Sequence, residues 1–417
     1  MRDLIFLSGF FAALIVVGIF IAGCVNDSPA IQPTNTEATT VVEANNRFAF
    51  DLYSNLITNP QNQNSNIFFS PFGISSALAI TYEGARGTTA DEIAAVFHFP
   101  RNDSLRRTQY AKIFDEMNQG DDGYTLKMAN ALWAEKNYPF LPGYTQLAQG
   151  FYRAKTSNLD FMLNPEDSRT TINRWVEEKT NDKITDLLPA GAIDESTRLV
   201  ITNAIYFKGT WIVQFDPGNT KDANFTISPG NTVKVQMMQT DSYFKYAETE
   251  NFQLLEMPYE HSGNNSVSML VLLPKDNEWT SWDTSLDASK LAGLKNNLSN
   301  TRVEVYIPKF RIETRYSLSG TLGAMGMPVA FSDKADFSGM DGTTNLSIRD
   351  VIHKAYVNVD EEGTEATAAT AVVVIEAVST RPTPPVFRAD HPFLFIIQDD
   401  DSGTILFMGR VMNPGAL

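Results

Sequence analysis

Residues 359–380 constrain the fold of this 417-residue chain more than any other stretch. They read Val-Asp-Glu-Glu-Gly-Thr-Glu-Ala-Thr-Ala-Ala-Thr-Ala-Val-Val-Val-Ile-Glu-Ala-Val-Ser-Thr. After Gly363, every residue through Ile375 except Glu365 is small or β-branched. Side chains alternate across a strand, so Thr364, Ala366, Ala368, Thr370, Val372 and Val374 share one face. Glu365, Thr367, Ala369, Ala371, Val373 and Ile375 share the other. The first face can slide into a packed core at little steric cost, while Glu365 stays in water. An ordinary buried strand would carry the same pattern. This one runs straight into Arg381-Pro-Thr-Pro-Pro, which is extended and poor in donors. It reads as a strand waiting for a partner sheet.

The remainder must hold such a segment without covalent help. Cys24 is the single cysteine, so no intramolecular disulfide is possible. His98, His261, His353 and His391 lie far apart in sequence and form no metal-binding motif, so no metal or cofactor is expected. Hydrophobic residues make up 43% of the chain, enough for a large core. The formal net charge of -16 disfavours nucleic acid and otherwise reads as solubility.

The first residues form a targeting segment. Arg2 precedes an apolar stretch over 4–21 that meets Ile21-Ala22-Gly23-Cys24. The small-small-Cys ending resembles a prokaryotic lipobox, with residues 1–23 removed and Cys24 lipidated. The stretch is also nearly long enough for an uncleaved membrane anchor. Either way the body is expected outside the cytoplasm, at the cell surface. Residues 24–41 are polar, with Pro and Thr, and read as a flexible tether.

From residue 42 to 417 we read one α+β domain. Amphipathic spacing predicts a helix over 45–56, and an all-round apolar run with small residues predicts a buried helix over 74–82. Thr89 with Asp91 and Glu92 opens another helix. Helical spacing continues over 168–188, with Lys179 and Lys183 snorkelling along the apolar face. Strands are expected at 125–134, 197–207, 233–238, 243–246, 267–273, 303–307, 355–359, 393–397 and 405–410. Asp399-Asp-Asp-Ser-Gly403 reads as a hairpin turn rather than a calcium loop. No Gly-x-Ser-x-Gly elbow occurs, and the glycines from Gly320 to Gly326 have the wrong spacing for a dinucleotide loop. His353 sits among apolar residues and reads as a hydrogen-bonded core histidine. Nothing assembles into a catalytic site, and an enzyme is not expected.

Several motifs, in order, resemble the serpin family. They are Asn66-Ile-Phe-Phe-Ser-Pro-Phe, Asn203-Ala-Ile-Tyr-Phe-Lys-Gly-Thr-Trp, Tyr306-Ile-Pro-Lys-Phe, Val359-Asp-Glu-Glu-Gly-Thr-Glu-Ala and Phe387-Arg-Ala-Asp-His-Pro-Phe-Leu-Phe-Ile-Ile. The resemblance spans residue 45 to the C-terminus. It implies three β-sheets with surrounding helices and an exposed reactive-centre loop at about 363–385. It also implies suicide inhibition: a serine protease cleaves the loop, whose N-terminal arm inserts into the central sheet and traps the acyl-enzyme.

Carried over residue by residue, the hinge is Gly363, Thr364, Glu365, Ala366, Thr367, Ala368 and Ala369. Its small inward positions favour insertion, since a buried charge costs several kcal/mol; Thr364→Arg should therefore turn inhibitor into substrate. Counting from Gly363 puts the reactive bond at Ala377–Val378, which suits an elastase- or subtilisin-like enzyme. Counting back from Pro392 gives Arg381–Pro382, a trypsin-like alternative. Ser70, Asn203 and His353 match a polar cluster beneath the sheet opening, where Gly73 departs from the usual serine and leaves a gap in the network. Trp211, Lys309 and Glu361 match residues where the loop enters. The chain is expected to be monomeric, with loop-sheet polymerisation as a liability of the 372–375 run. A non-inhibitory binding or structural role is the alternative.

Overall fold

Apolar alternation over long stretches produces two hydrogen-bonded sheets, and the apolar periodic stretches pack against them as helices. The computed structural model describes residues 38–118, 123–263, 265–275, 286–364 and 383–416. The targeting segment, Cys24, most of the tether, the hinge from Glu365 onward, and both candidate reactive bonds lie outside those residues.

The described chain begins with helix α1 (Val41–Thr58), strand β1 (Ile67–Phe69) and helices α2 (Pro71–Gly84), α3 (Gly87–Val96) and α4 (Asp103–Asn118). Next come β2 (Tyr124–Glu135), α5 (Pro142–Tyr152), β3 (Lys155–Leu159), α6 (Pro165–Lys179) and β4 (Leu199–Thr210). The run β5 (Lys221–Ser228), β6 (Asn231–Glu248), β7 (Phe252–Pro258) and β8 (Val267–Pro274) follows. Beyond it lie α7 (Ala288–Lys295), β9 (Ser299–Pro308), β10 (Phe310–Ser317), α8 (Ser319–Met325) and α9 (Ser338–Asp341). The last strands are β11 (Ile348–Val359), β12 (Gly363–Thr364), β13 (Val386–Arg388), β14 (Phe393–Asp399) and β15 (Ile405–Val411).

The six-stranded sheet runs β10-β11-β12-β4-β2-β3, with β11 and β4 also paired directly. The nine-stranded sheet runs β1-β15-β14-β8-β7-β6-β9-β13, with β5 added to β6. Where three sheets were expected, hydrogen bonding joins two of them. The cause is the 18-residue β6, which pairs with β5 through its first half, with β7 through its last residues, and with β9 along much of its length. It absorbs the two separate strands expected at 233–238 and 243–246.

Helix α2 is buried on nearly every face, as its all-round apolar sequence requires. Its hydroxyls are satisfied locally: Ser76 donates to Gly73 O (2.9 Å), Thr81 to Ala77 O (2.9 Å), and Ser75 shares a hydrogen bond with Tyr110 (2.7 Å). Helix α1 starts where Thr40 accepts from the Glu43 N–H, and Glu43 reaches back to Thr39. Val41 is already buried, so the segment read as tether overlaps the folded body at its last residues.

The helix expected over 168–188 stops at Lys179. Asn181 and Asp182 both take positive φ (+53° and +58°), which turns the chain back. Ile184 and Leu187 then bury in the same apolar cluster as Ile172 and Val176, from a loop rather than a helix. Lys179 is about half exposed, off the apolar face. Helix α3 opens at Gly87, two residues before the expected Thr89. Asp399–Gly403 is the turn joining the antiparallel pair β14–β15, with Gly403 at φ +74°.

Candidate functional site

Two clusters lie along the junction of β4 and β11. The lower one crosses the sheet on a single rung, because register places Tyr316, His353, Asn203 and Asn130 side by side on β10, β11, β4 and β2. The Ser70 N–H, at the cap of α2, donates to His353 Nε2 at 3.0 Å. The proton therefore sits on Nδ1, which donates to Asn203 Oδ1 at 2.6 Å. Asn203 Nδ2 donates to Asn130 Oδ1 (2.5 Å), and Asn130 Nδ2 donates to Ser76 Oγ (2.6 Å). Ser70 Oγ accepts from the Gly73 N–H and donates to Leu406 O on β15. His353 is fully buried, and burial pushes its imidazole down to about 3, so it stays neutral.

This chain of bonds ties α2 to three strands and to the second sheet. The gap expected at Gly73 is absent. A Cβ there would lie 2.7 Å from both Asn203 amide heteroatoms, so glycine lets that amide in, and Ser76 closes the network from the next turn. Asn130 and Ser76 escaped sequence reading because only the cross-strand register brings them to His353.

The upper cluster is the mouth of the sheet. Gly363 and Thr364 sit between β11 and β4, antiparallel to both: Thr364 opposes Val359 and Gly209, and Gly363 opposes Thr210. A Cβ on Gly363 would collide with the Gly209 carbonyl, so the close approach demands glycine. Below this rung β11 and β4 pair directly, from Ile348–Leu199 to Tyr356–Tyr206. The strand slot is thus closed except at its first rung.

The turn into the mouth is strapped on several sides. Asp360 N donates to Gly363 O (2.9 Å), and Asp360 Oδ1 accepts from the Glu362 and Gly363 amides. Burial pushes the Asp360 carboxyl up, opposed by those two bonds. Trp211, 1% exposed, donates from its backbone to Glu362 O and from Nε1 to Asp360 O. Lys309 Nζ meets Glu361 Oε2 at 2.6 Å, and Thr220 Oγ1 donates to Oε1 at 2.8 Å. Burial raises the Glu361 carboxyl, but the Lys309 and Thr220 bonds outweigh it and hold it below the usual range.

Tyr259, which sequence reading missed, stacks on Trp211 (4.4 Å between centroids) and shares a 2.7 Å hydrogen bond with Thr364 Oγ1. Its only sequence signal was an aromatic after Pro258. The structure therefore gathers Trp211, Lys309, Glu361, Gly363 and Thr364 at the mouth, and Ser70, Asn203 and His353 below it. Among the described residues no His/Cys/Asp/Glu group could hold a metal ion.

A sheet wedged at one rung, over a polar cluster, is matched by what the whole chain resembles. The family model described as serpin (serine protease inhibitor) matches residues 43–414. The chain belongs to the serpin family. An uncharacterized serpin-like protein of Thermococcus kodakarensis is 39% identical over 96% of this chain and 97% of its own. Leukocyte elastase inhibitor A of Rattus norvegicus is 39% identical, covering 89% of this serpin and 98% of the rat protein. Among solved structures, uncleaved ovalbumin superposes with a TM-score of 0.80 at 31% identity, covering 90% of this chain and 100% of ovalbumin. Serpins are mostly protease inhibitors rather than enzymes.

Proposed function

We propose that this serpin is an irreversible suicide-substrate inhibitor of serine proteases of elastase- or subtilisin-like specificity, cleaved at Ala377–Val378. The observation that carries the reading is the one-rung wedge: Gly363–Thr364 lies antiparallel to both β4 and β11, which pair parallel below it. Insertion along that line would replace one parallel pairing with two antiparallel ones, which are slightly stronger per residue. Thr364 is buried, and on strand alternation an inserted arm would present Ala366 and Ala368 to that same face. The name of the rat relative supports an elastase-like target. Arg381–Pro382 with a trypsin-like enzyme is the weaker site, because serine proteases cleave poorly before proline.

The test mixes the protein with elastase, subtilisin and trypsin. An SDS-stable complex and a released peptide beginning at Val378 are expected. A peptide beginning at Pro382 would move the bond. Cleavage without any complex, with all three enzymes, would favour the non-inhibitory binding or structural role. Arginine at Ala366 or Ala368 should convert inhibitor to substrate. Thr364→Arg is the poorer probe, because Thr364 is already buried before cleavage.

The same proposal holds the body outside the cytoplasm on a lipid at Cys24, through the tether. The basic start, apolar span and small residues before Cys24 support it. Cys24→Ser should release the chain from membranes; a variant that stays bound would favour an uncleaved anchor.

A further inference from the structure

Of the side-chain contacts at the mouth of the sheet, Lys309–Glu361 and Tyr259–Thr364 can be ranked by their exposure. The Lys309–Glu361 pair has a lysine side chain 39% exposed, so solvent weakens it. The Tyr259–Thr364 bond is sealed: both residues are 0% exposed. The Tyr259 ring lies between Trp211, stacked at 18° between planes, and Phe207, edge-on with centroids 4.9 Å apart. Its backbone is tied down by donation to Val267 O at 2.9 Å. Among the described residues, Thr364 is the one hydrogen-bond partner of the Tyr259 hydroxyl.

The structure assigns Tyr259 the role of a positioning residue that seats Gly363–Thr364 between β4 and β11 before the loop is cut. If the hinge withdraws, the tyrosine hydroxyl is stranded in an aromatic pocket, at the cost of an unmade buried hydrogen bond. That cost biases the hinge toward the seated state by a factor of about five or more. Seating leaves the first antiparallel rung already formed when cleavage frees the rest of the arm. The consequence for inhibition rests on the insertion reading above, whereas the seat itself does not.

The two hydroxyls make the proposal testable as a cycle. Removing one leaves the other buried and unpaired, while removing both leaves an apolar contact of nearly the same shape, which is close to neutral. The full chain in detergent is compared as wild type, Tyr259→Phe, Thr364→Val, the double variant, and Thr364→Ser, which keeps the hydroxyl. Amide hydrogen exchange is read across residues 360–364, with the middle of β11 as the control for folding. Either single loss should speed exchange at Gly363 and Thr364 about fivefold or more. The double variant should return to within about twofold of wild type, and Thr364→Ser should match it.

Unchanged exchange in both single variants, or a double variant as fast as the two losses multiplied, overturns the assignment. Stoichiometry of inhibition gives the second readout, expected to rise in each single variant and recover in the double. If exchange follows the cycle but no variant forms a protease complex, the seat stands and the inhibitory reading falls.

Discussion

His353 shows how one buried side chain couples the sheet to pH. Its folded value of about 3 lies well below the ordinary value of about 6.5. Above about pH 6.5 the ring is neutral whether folded or unfolded, and the full stability is present. Below that, the unfolded chain takes up a proton that the folded one refuses, so stability falls until about pH 3. Between pH 7 and 5.5 the loss should be about 1 kcal/mol. His353→Gln keeps one donor and one acceptor, and should remove this increment from the pH dependence of the denaturant midpoint. An unchanged pH dependence would mean that His353 titrates in the folded state. Asn203, Trp211, Lys309 and Glu361 were legible because motifs carry them, and His353 because it stands among apolar residues. Tyr259, Asn130 and Ser76 were not, because their roles depend on which residues face each other across strands far apart in sequence.

At the scale of elements, α6 and the loop after it share one apolar cluster with the strands that insertion would have to part. Ile172, Val176, Ile184 and Leu187 bury in one cluster with Ala131 and Trp133 of β2, Val200 and Ala204 of β4, and Ile352 of β11. Ile172→Ala should cost about 2–5 kcal/mol, as for other large-to-small core changes, and lower the thermal midpoint. A cost under about 1 kcal/mol would mean that α6 is only loosely held. This region also marks a limit of periodicity. Apolar residues kept helical spacing past Lys179, yet the positive φ angles of Asn181 and Asp182 end the helix there. Burial is what the spacing reports, and a loop can satisfy it as well as a helix. The two-stranded reading of β6 failed differently: polar residues such as Gln239, Thr240 and Asp241 look like a turn but continue the strand, paired with β9.

Over the whole molecule, a chain with a single cysteine relies on packing, and among the described residues a buried charge cluster adds to it. Glu83 of α2 accepts from Arg106 (2.8 Å) and Arg107 (2.6 Å) of α4 and from the Tyr152 hydroxyl (2.6 Å) of α5. Burial opposes the charge on Arg106, but Glu83 outweighs it and holds the guanidinium ionised. Packing was legible from composition, whereas this clasp was not, since its residues meet only after three helices dock. The fold class was readable from motifs in order, and the joining of sheets through β6 was not. The slot between β4 and β11 is closed below its first rung, and on the proposed mechanism it fills when the loop is cut. The most direct measurement is the thermal unfolding of the protein before and after complete cleavage within the loop. The cleaved form should unfold at a clearly higher temperature, because insertion would give it a strand paired on both sides. An equal or lower temperature after cleavage would contradict it.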